Sequence, residues 1–398
     1  MAEASPVEDR PYLIGVYLGV NAIPDARILV DGMECLFSKA RYIHGQHDVF
    51  STLLDCRGEN RVLHTDINPF RIATNFEHGI AQALRVAAAQ PDCGVVLCGA
   101  ITTCAIVGTD YERIARETAP SLGKPLFTLP TRSIGVDWLG GYEAVLQALA
   151  AGMDLRGARP RAENVAVVGY FMDRNEGEHR GNVAELSRLL RGIGAEPVSI
   201  WLSGRPYEHL REVRRASTIV SLPHGRAAAR TLARRLGARL VETDVPFGLD
   251  GTRRWLEQVA DALGRRRRAE AFIADELKEV VPRLEWLVPQ AFLGRRFLYA
   301  GDPRYAAAFG ALAREVGVDL RTAGPGAETD GFDLVIADSD FLRRSRPRVP
   351  WIEWGYPSYY THFFVDEPFL GFRGALAFLS RMANAVIKRF AIPQEDPR

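Results

Sequence analysis

The chain has 398 residues, 47% of them hydrophobic and 25% charged, an ordinary globular composition with length enough for two or three domains. With 50 Lys and Arg against 49 Asp and Glu, no global field favours nucleic acid or an anionic membrane. No apolar run reaches the roughly 18 residues that span a bilayer, and the polar start "MAEASPVEDRPY" lacks a secretory pattern, so a cytoplasmic chain with reduced thiols is expected.

Strand-like apolar runs alternate with helix-period segments, the mark of parallel sheets joined by helical crossovers. In the first block, "YLIGVYL" and "ARILVD" predict strands, "FRIATNFEHGIAQALRVAA" a helix and "GVVLCG" a strand. A helix "DYERIARETA", a strand "KPLFTLP", a helix through "DWLGGYEAVLQALAAGM" and a linker "DLRGARPRAE" follow. The second block predicts the strands "NVAVVGY", "EPVSIWL", "STIVSL" and "ARLVET". Its helices are "GNVAELSRLLRGIG", "YEHLREVRRA", "GRAAARTLARRLG" and "TRRWLEQVADALG". An amphipathic stretch over 267–290, preceded by the solvated turn "GRRRRAE", leads to the third block. There "RRFLYAG", "VDLRTA", "FDLVIADS" and "PWIEWG" alternate with "PRYAAAFGALAREVG", before a closing helix from Phe372 to Lys388. The inferred class is α/β, three Rossmann-like domains with mostly parallel sheets, over 1–158, 159–290 and 291–398.

Such folds bind ligands beyond the carboxyl ends of their strands. Neither G-x-G-x-x-G nor G-x-x-x-x-G-K-[ST] occurs at any strand end, so no nucleotide is expected on this chain. Cys35, just past "ILVD", and Cys104, past "VVLC", both lie at strand ends of the first block. In one parallel sheet those loops converge on one edge, where two thiols share a metal or cluster. Cys98 points into the sheet or sits at its rim, Cys93 lies in a turn, and Cys56 in "LLDCRGEN" lies near either. There is no C-x-x-C. Buried packing, shared ligation and nucleophilic catalysis all remain open from the residues alone.

Other stretches carry titratable groups. His44 and His47 in "YIHGQHDVF" have a chelating spacing that needs Asp48 or His64 as a third donor, or form a polar segment beside Cys35. The stretch "YFMDRNEGEHRGN" gathers Asp173, Glu176, Glu178 and His179, a set suited to polar substrate groups or proton donation or to a solvated loop. Aromatic residues from Trp351 to Phe364 suit a core, a pocket or a subunit interface.

The order "AIPDARILVDGMEC", then "TTCAIVGTDYERI", resembles the nitrogenase component 1 family. That family includes the molybdenum–iron protein subunits, their cofactor-assembly scaffold and the dark-operative protochlorophyllide and chlorophyllide reductases. The likeness continues through "VAVVGYFMDRNEGEHRGNVAELSRLL", "VETDVPFGLDGTRRWLEQVADALG" and "WIEWGYPSYYTHFFVDEPFLGFRGALAFLSRMANAV", covering about residues 12 to 390. The resemblance implies three Rossmann-like domains and places Cys35 and Cys104 on two of the family's iron–sulfur ligand positions. Family members that supply half a cluster carry a further cysteine about two dozen residues earlier, where this chain reads "RPYLIGVYLGVNAIPD". A [4Fe-4S] cluster would then be shared with a second component 1 subunit, identical or homologous, with Cys56, Cys98, Asp31 or Asp55 as local alternatives.

The family's catalytic subunit also holds a large metal cofactor with a cysteine and a histidine. The first position falls at Ser221 or Leu222, without a thiol, and the second close to His362. The resemblance therefore implies reduction of a small molecule other than dinitrogen, a tetrapyrrole among the candidates. Electrons would come from a separate ATP-dependent iron–sulfur protein. His224, His362 and His179 are the candidate catalytic groups. A scaffold or carrier for cofactor or tetrapyrrole assembly is the alternative, and a cluster-free ligand-binding protein a third. No nucleic-acid or membrane partner is implied.

Overall fold

Tyr12–Asn21 forms helix α1, where the apolar run had predicted a strand. All ten of its residues are buried, so the helix lacks the polar face that makes a 3.6-residue period visible. The overlooked signal is the pair Gly15 and Gly19, four apart. A Cβ on Gly15 would fall 1.6 Å from the Trp138 carbonyl oxygen, and one on Gly141 would fall 2.0 Å from that of Tyr12. Only glycine allows these two helices to pack backbone against backbone.

The computed structural model describes residues 10–33, 36–55, 59–67, 77–106, 108–131, 135–324 and 326–391. After α1 come β1 (Ala26–Asp31), α2 (Leu36–Ile43), β2 (Val62–His64), α3 (Glu77–Ala89), β3 (Val95–Ala100), α4 (Thr102–Ile106), α5 (Tyr111–Leu122), β4 (Leu126–Thr128) and α6 (Trp138–Gly152). Next are β5 (Arg161–Val168), α7 (Gly177–Gly192), β6 (Glu196–Ile200), α8 (Tyr207–Arg211), β7 (Ala216–Ser221), α9 (Arg226–Leu236), β8 (Arg239–Glu242), α10 (Gly248–Ala262), α11 (Arg266–Glu285) and α12 (Leu287–Ala291). The chain ends with β9 (Arg296–Ala300), α13 (Pro303–Val316), β10 (Asp319–Thr322), β11 (Leu334–Ala337), α14 (Ser339–Ser345), β12 (Trp351–Glu353) and α15 (Gly371–Ala391). No helix among the described residues is long and apolar enough to cross a membrane.

The twelve strands form three four-stranded parallel sheets, ordered β2-β1-β3-β4, β6-β5-β7-β8 and β10-β9-β11-β12. The same order recurs each time, and each reverses direction between its first and third strands. Such a reversal opens a crevice at the carboxyl ends of those two strands. In the first sheet the register sets Leu29 beside Cys98 and Asp31 beside Ala100. Both β1 and β3 are buried along their whole length, which is why they read as continuous apolar runs.

By internal contacts the described chain divides into two units, one of 10–175 with 197–242, the other of 176–196 with 243–391. In the second unit, the segment 362–373 lies against the first turns of α7. A Cβ on Gly177 would fall 2.1 Å from the Val365 carbonyl oxygen, and one on Gly181 2.7 Å from the Pro368 nitrogen. Polar groups on the same face complete the contact. Asn182 Oδ1 accepts the backbone N–H groups of Phe369 and Leu370 at 2.8 and 2.9 Å. Gly371 adopts φ +76°, a left-handed conformation that favours glycine, and its N–H donates to the Pro246 carbonyl at 2.8 Å.

Just upstream, the buried Glu353 carboxylate accepts the N–H groups of Tyr359 and Tyr360 at 2.9 and 3.1 Å and the Ser339 hydroxyl. Gly248 opens α10 at φ +72°, and Glu315 caps that helix by accepting the Leu249 and Asp250 N–H groups, both at 2.9 Å.

These contacts give two glycines of one unit opposite signs. Gly181→Ala gains about 1 kcal/mol of helix propensity but forces the 367–368 backbone away, at about 1–3 kcal/mol, for a net loss of up to about 2 kcal/mol. A Cβ on Gly251 in α10 would meet nothing closer than 3.9 Å, so Gly251→Ala stabilises by up to about 1 kcal/mol. Urea denaturation of both variants checks this, and equal midpoints would contradict it.

Candidate functional site

Asp31 ends β1 at the crevice of the first sheet and is 1% exposed. Its carboxylate accepts the Tyr111 hydroxyl at 2.5 Å and the Thr65 hydroxyl at 2.6 Å. The Cys104 thiol is hydrogen-bonded to the same carboxylate. Thr65 is positioned in turn by the Gly32 N–H at 3.1 Å, and Ile101, which leads into α4, donates its N–H to the Asp31 carbonyl at 3.0 Å. The ends of β1, β2 and β3 and the start of α5 thus converge on one buried carboxyl group. None of its partners among the described residues is a cation.

Cys104 lies on α4, a short helix where a loop was expected, in an apolar cluster with Leu29, Cys98, Ala100, Tyr111 and Ile114. Burial, then the adjacent Asp31 charge, push both the Cys98 and the Cys104 thiols up to about 12. Burial first, then its bond to Asp31, likewise holds the Tyr111 hydroxyl far above the ordinary range. Cys98 packs on β3 behind this site, and Cys93 sits in the turn before it, its thiol directed to the Val95 carbonyl at 3.6 Å. Met33, just after β1, and Ile106, the last residue of α4, are 40% and 73% exposed. Cys35 and Cys56 lie outside the described residues.

The donor chemistry suits an iron–sulfur ligand position in one respect: a soft sulfur donor in a water-poor, apolar surround. Among the described residues, no group of three His, Cys, Asp or Glu side chains is arranged to hold a metal ion.

His44 and His47 are not grouped with a third metal-ligating side chain among the described residues. Both follow the end of α2, and His47 is fully buried with Nε2 3.2 Å from the Asp173 carbonyl oxygen and 3.6 Å from Asp173 Oδ2. Asp48, equally buried, accepts from Asn21 Nδ2 at 2.7 Å, from the N–H of Phe50 at 2.9 Å and from the backbone and side chain of Asn175, each at 2.9 Å. This carboxylate stitches the 44–50 loop to the loop after β5. Buried polar groups require such partners, and the sequence offers no local sign of a contact 127 positions apart.

The three candidate histidines fare differently. His224, 1% exposed, stacks on Phe171 with ring centroids 4.7 Å apart. Its loop approaches the end of β5 so closely that a Cβ on Gly169 would fall 2.4 Å from the Gly225 nitrogen; those glycines let the crevice of the second sheet close. His179 is 4% exposed and edge-on to Phe369 at 5.7 Å. His362 retains 23% side-chain exposure, and its Nδ1 lies 2.7 Å from Glu176 Oε1.

The thiol environments predict a pH response. The folded values of Cys98 and Cys104 lie above the ordinary 9.0, near 12, so the unfolded chain ionises these thiols first and stability falls as pH rises from 9 to 12. At pH 8 the native, metal-free protein should leave both unalkylated by iodoacetamide until denaturant is added, read by peptide mass spectrometry. Equal labelling rates with and without denaturant would contradict the burial.

A sequence profile described as nitrogenase component 1 type oxidoreductase matches residues 12–333. The nitrogenase molybdenum-iron protein alpha chain of Methanothermobacter marburgensis is 22% identical over 334 residues, 74% of this chain and 68% of that one. The light-independent protochlorophyllide reductase subunit N of Roseiflexus sp. is 29% identical over 322 residues, 73% and 72% of the two chains. The same subunit of Gloeobacter violaceus is 25% identical over 258 residues, 56% and 54%, so there the match spans about half of the relative's length. The structure titled "Nitrogenase Cp1 at pH 6.5" superposes with a TM-score of 0.78 at 14% identity, covering 100% of this chain and 97% of that chain, which shows the common fold. The chain belongs to the nitrogenase component 1 type oxidoreductase family.

Proposed function

We propose that this chain is a subunit of a two-component reductase, in which Cys104 and Cys35 supply sulfur ligands to a [4Fe-4S] cluster completed by a second component 1 subunit. The observation that carries the reading is the position of Cys104, a buried thiol at the strand-order reversal, one strand over from the end of β1 that leads to Cys35. The cluster would supply one-electron storage at a potential set by burial and hydrogen bonding.

The chain's own residues prepare the place. The apolar cluster around Cys104 excludes water. Tyr111 and Thr65 hold the Asp31 carboxylate in place beside the Cys104 thiol. The α1 helix, which occupies the region where a third cysteine would be sought, is buried along its length and carries none, so the remaining ligands come from the partner. The exposed Met33 and Ile106 offer apolar surface for that partner beside both cysteine loops. Electrons arrive from an ATP-hydrolysing iron–sulfur protein.

The substrate is a small molecule other than dinitrogen. Ser221 and Leu222, which occupy the region of the family's cofactor thiol, are fully buried, and neither is a soft donor. The missing first cysteine favours a second reading, a scaffold that carries a cofactor or tetrapyrrole without turnover.

Anaerobic purification tests the assignment. A brown protein with about four irons per pair of chains is expected, lost in Cys35→Ala and Cys104→Ala and retained in Cys93→Ala. A colourless protein after iron and sulfide reconstitution would contradict it. Electron uptake from an iron protein only during ATP hydrolysis then separates the reductase from the scaffold.

A further inference from the structure

Glu176 is completely buried at the N-terminal boundary of the sixteen-residue helix α7. Its Oε1 lies 2.7 Å from His362 Nδ1 and its Oε2 accepts the Phe363 backbone N–H at 2.7 Å, while the Gly177 N–H donates to the Phe363 carbonyl at 2.8 Å. The backbone beside the imidazole is thus held on both sides. A carboxylate oxygen only accepts hydrogen bonds, so its 2.7 Å contact with the ring is made by a donating nitrogen. Nδ1 of His362 therefore carries its hydrogen. Nε2 has no polar partner among the described residues, so it presents a lone pair when the ring is neutral and an N–H when it is charged. A buried carboxylate behind a partly exposed imidazole fixes the orientation of the ring.

We propose that Glu176 and His362 form a proton-delivering pair of the reductase, with His362 the catalytic residue that contacts an unsaturated organic substrate and Glu176 its positioning residue. This inference rests on the reductase reading above. In each delivery the Nε2–H bond breaks and a C–H or N–H bond forms on the substrate atom. For each double bond reduced, two such deliveries are matched by two one-electron transfers originating in the partner iron–sulfur reductant, and that transferred pair together with the broken π pair forms the two new bonds. The ring is left neutral, its Nδ1–H still on Glu176, and takes a new proton at Nε2 from water.

Neither His224 nor His179 can substitute, because each is at most 4% exposed and packed on an aromatic ring. The pair joins residues 186 positions apart, and the contact exists only because Gly177 and Gly181 let the 362–368 backbone lie on the helix.

The experiment is a long-range proton–nitrogen correlation spectrum of the full chain labelled at histidine, with His362 assigned by loss of its signals in His362→Gln. The expected result is a single ring state protonated at Nδ1. Glu176→Gln, whose amide both donates and accepts, should give a mixture of tautomers, and Glu176→Asp should restore the Nδ1–H form. A wild-type ring protonated only at Nε2, or an unchanged ring state in Glu176→Gln, would overturn the proposal.

In turnover, His362→Gln should lower kcat about 100-fold or more, and Glu176→Gln should lower it by about tenfold with KM within about twofold. An equal loss in KM alone would overturn the proton-donor role. The ring-state measurement needs neither iron nor reductant, so its failure and the failure of the cluster assignment are separate results.

Discussion

The site depends on the reversal of strand order between β1 and β3. In the order β2-β1-β3-β4, the helices after β1 and β3 leave toward opposite faces, and the carboxyl ends of the two strands face a common gap. Asp31 closes one strand, and Cys104 follows the other by four residues. The buried carboxylate, bound by Tyr111, Thr65 and the thiol itself, ties the loops that this topology brings together. A charge buried without a cation is costly unless hydrogen bonds offset its lost hydration, and here two hydroxyls and a thiol donate to it.

The same strand order recurs in the other two sheets, but the second fills its gap. Gly169 and Gly225 approach there to within backbone contact, and His224 lies under Phe171. The identical topology therefore gives a candidate site in one sheet and a packed junction in another, and side chains at the strand ends decide which. In the other unit, chemistry is placed by a segment laid across a helix. Gly177 and Gly181 remove side-chain bulk, Asn182 satisfies two backbone donors, and Glu176 holds the imidazole of His362.

Much of this was legible in the sequence. Parallel sheets reveal themselves as apolar runs of four to eight residues between amphipathic helices, and β3, β5, β7 and β11 appear as such. The α1 segment reads as a strand because burial on every side erases its helical period. The short β2 and α2, and the helix α4 that carries Cys104, had too little pattern to declare themselves. Cys104 was recognisable as a strand-end thiol in a chain with five cysteines. Its contact with Asp31, the hub at Asp48 and the pairing of Glu176 with His362 were not. Each joins residues 73 to 186 positions apart, and spacing rules reach only across a helix turn or a strand pair.

The buried thiol next to a buried carboxylate poses a specific chemical demand: on binding iron, Cys104 must give up its proton and its bond to Asp31. Crystals of the anaerobically reconstituted protein, measured at the iron absorption edge, test this directly. The account predicts an anomalous iron peak at about 2.3 Å from Cys104 Sγ, an ordinary metal–thiolate distance, at a boundary between two chains. Iron density remote from Cys104, with its thiol still bonded to Asp31, would contradict it.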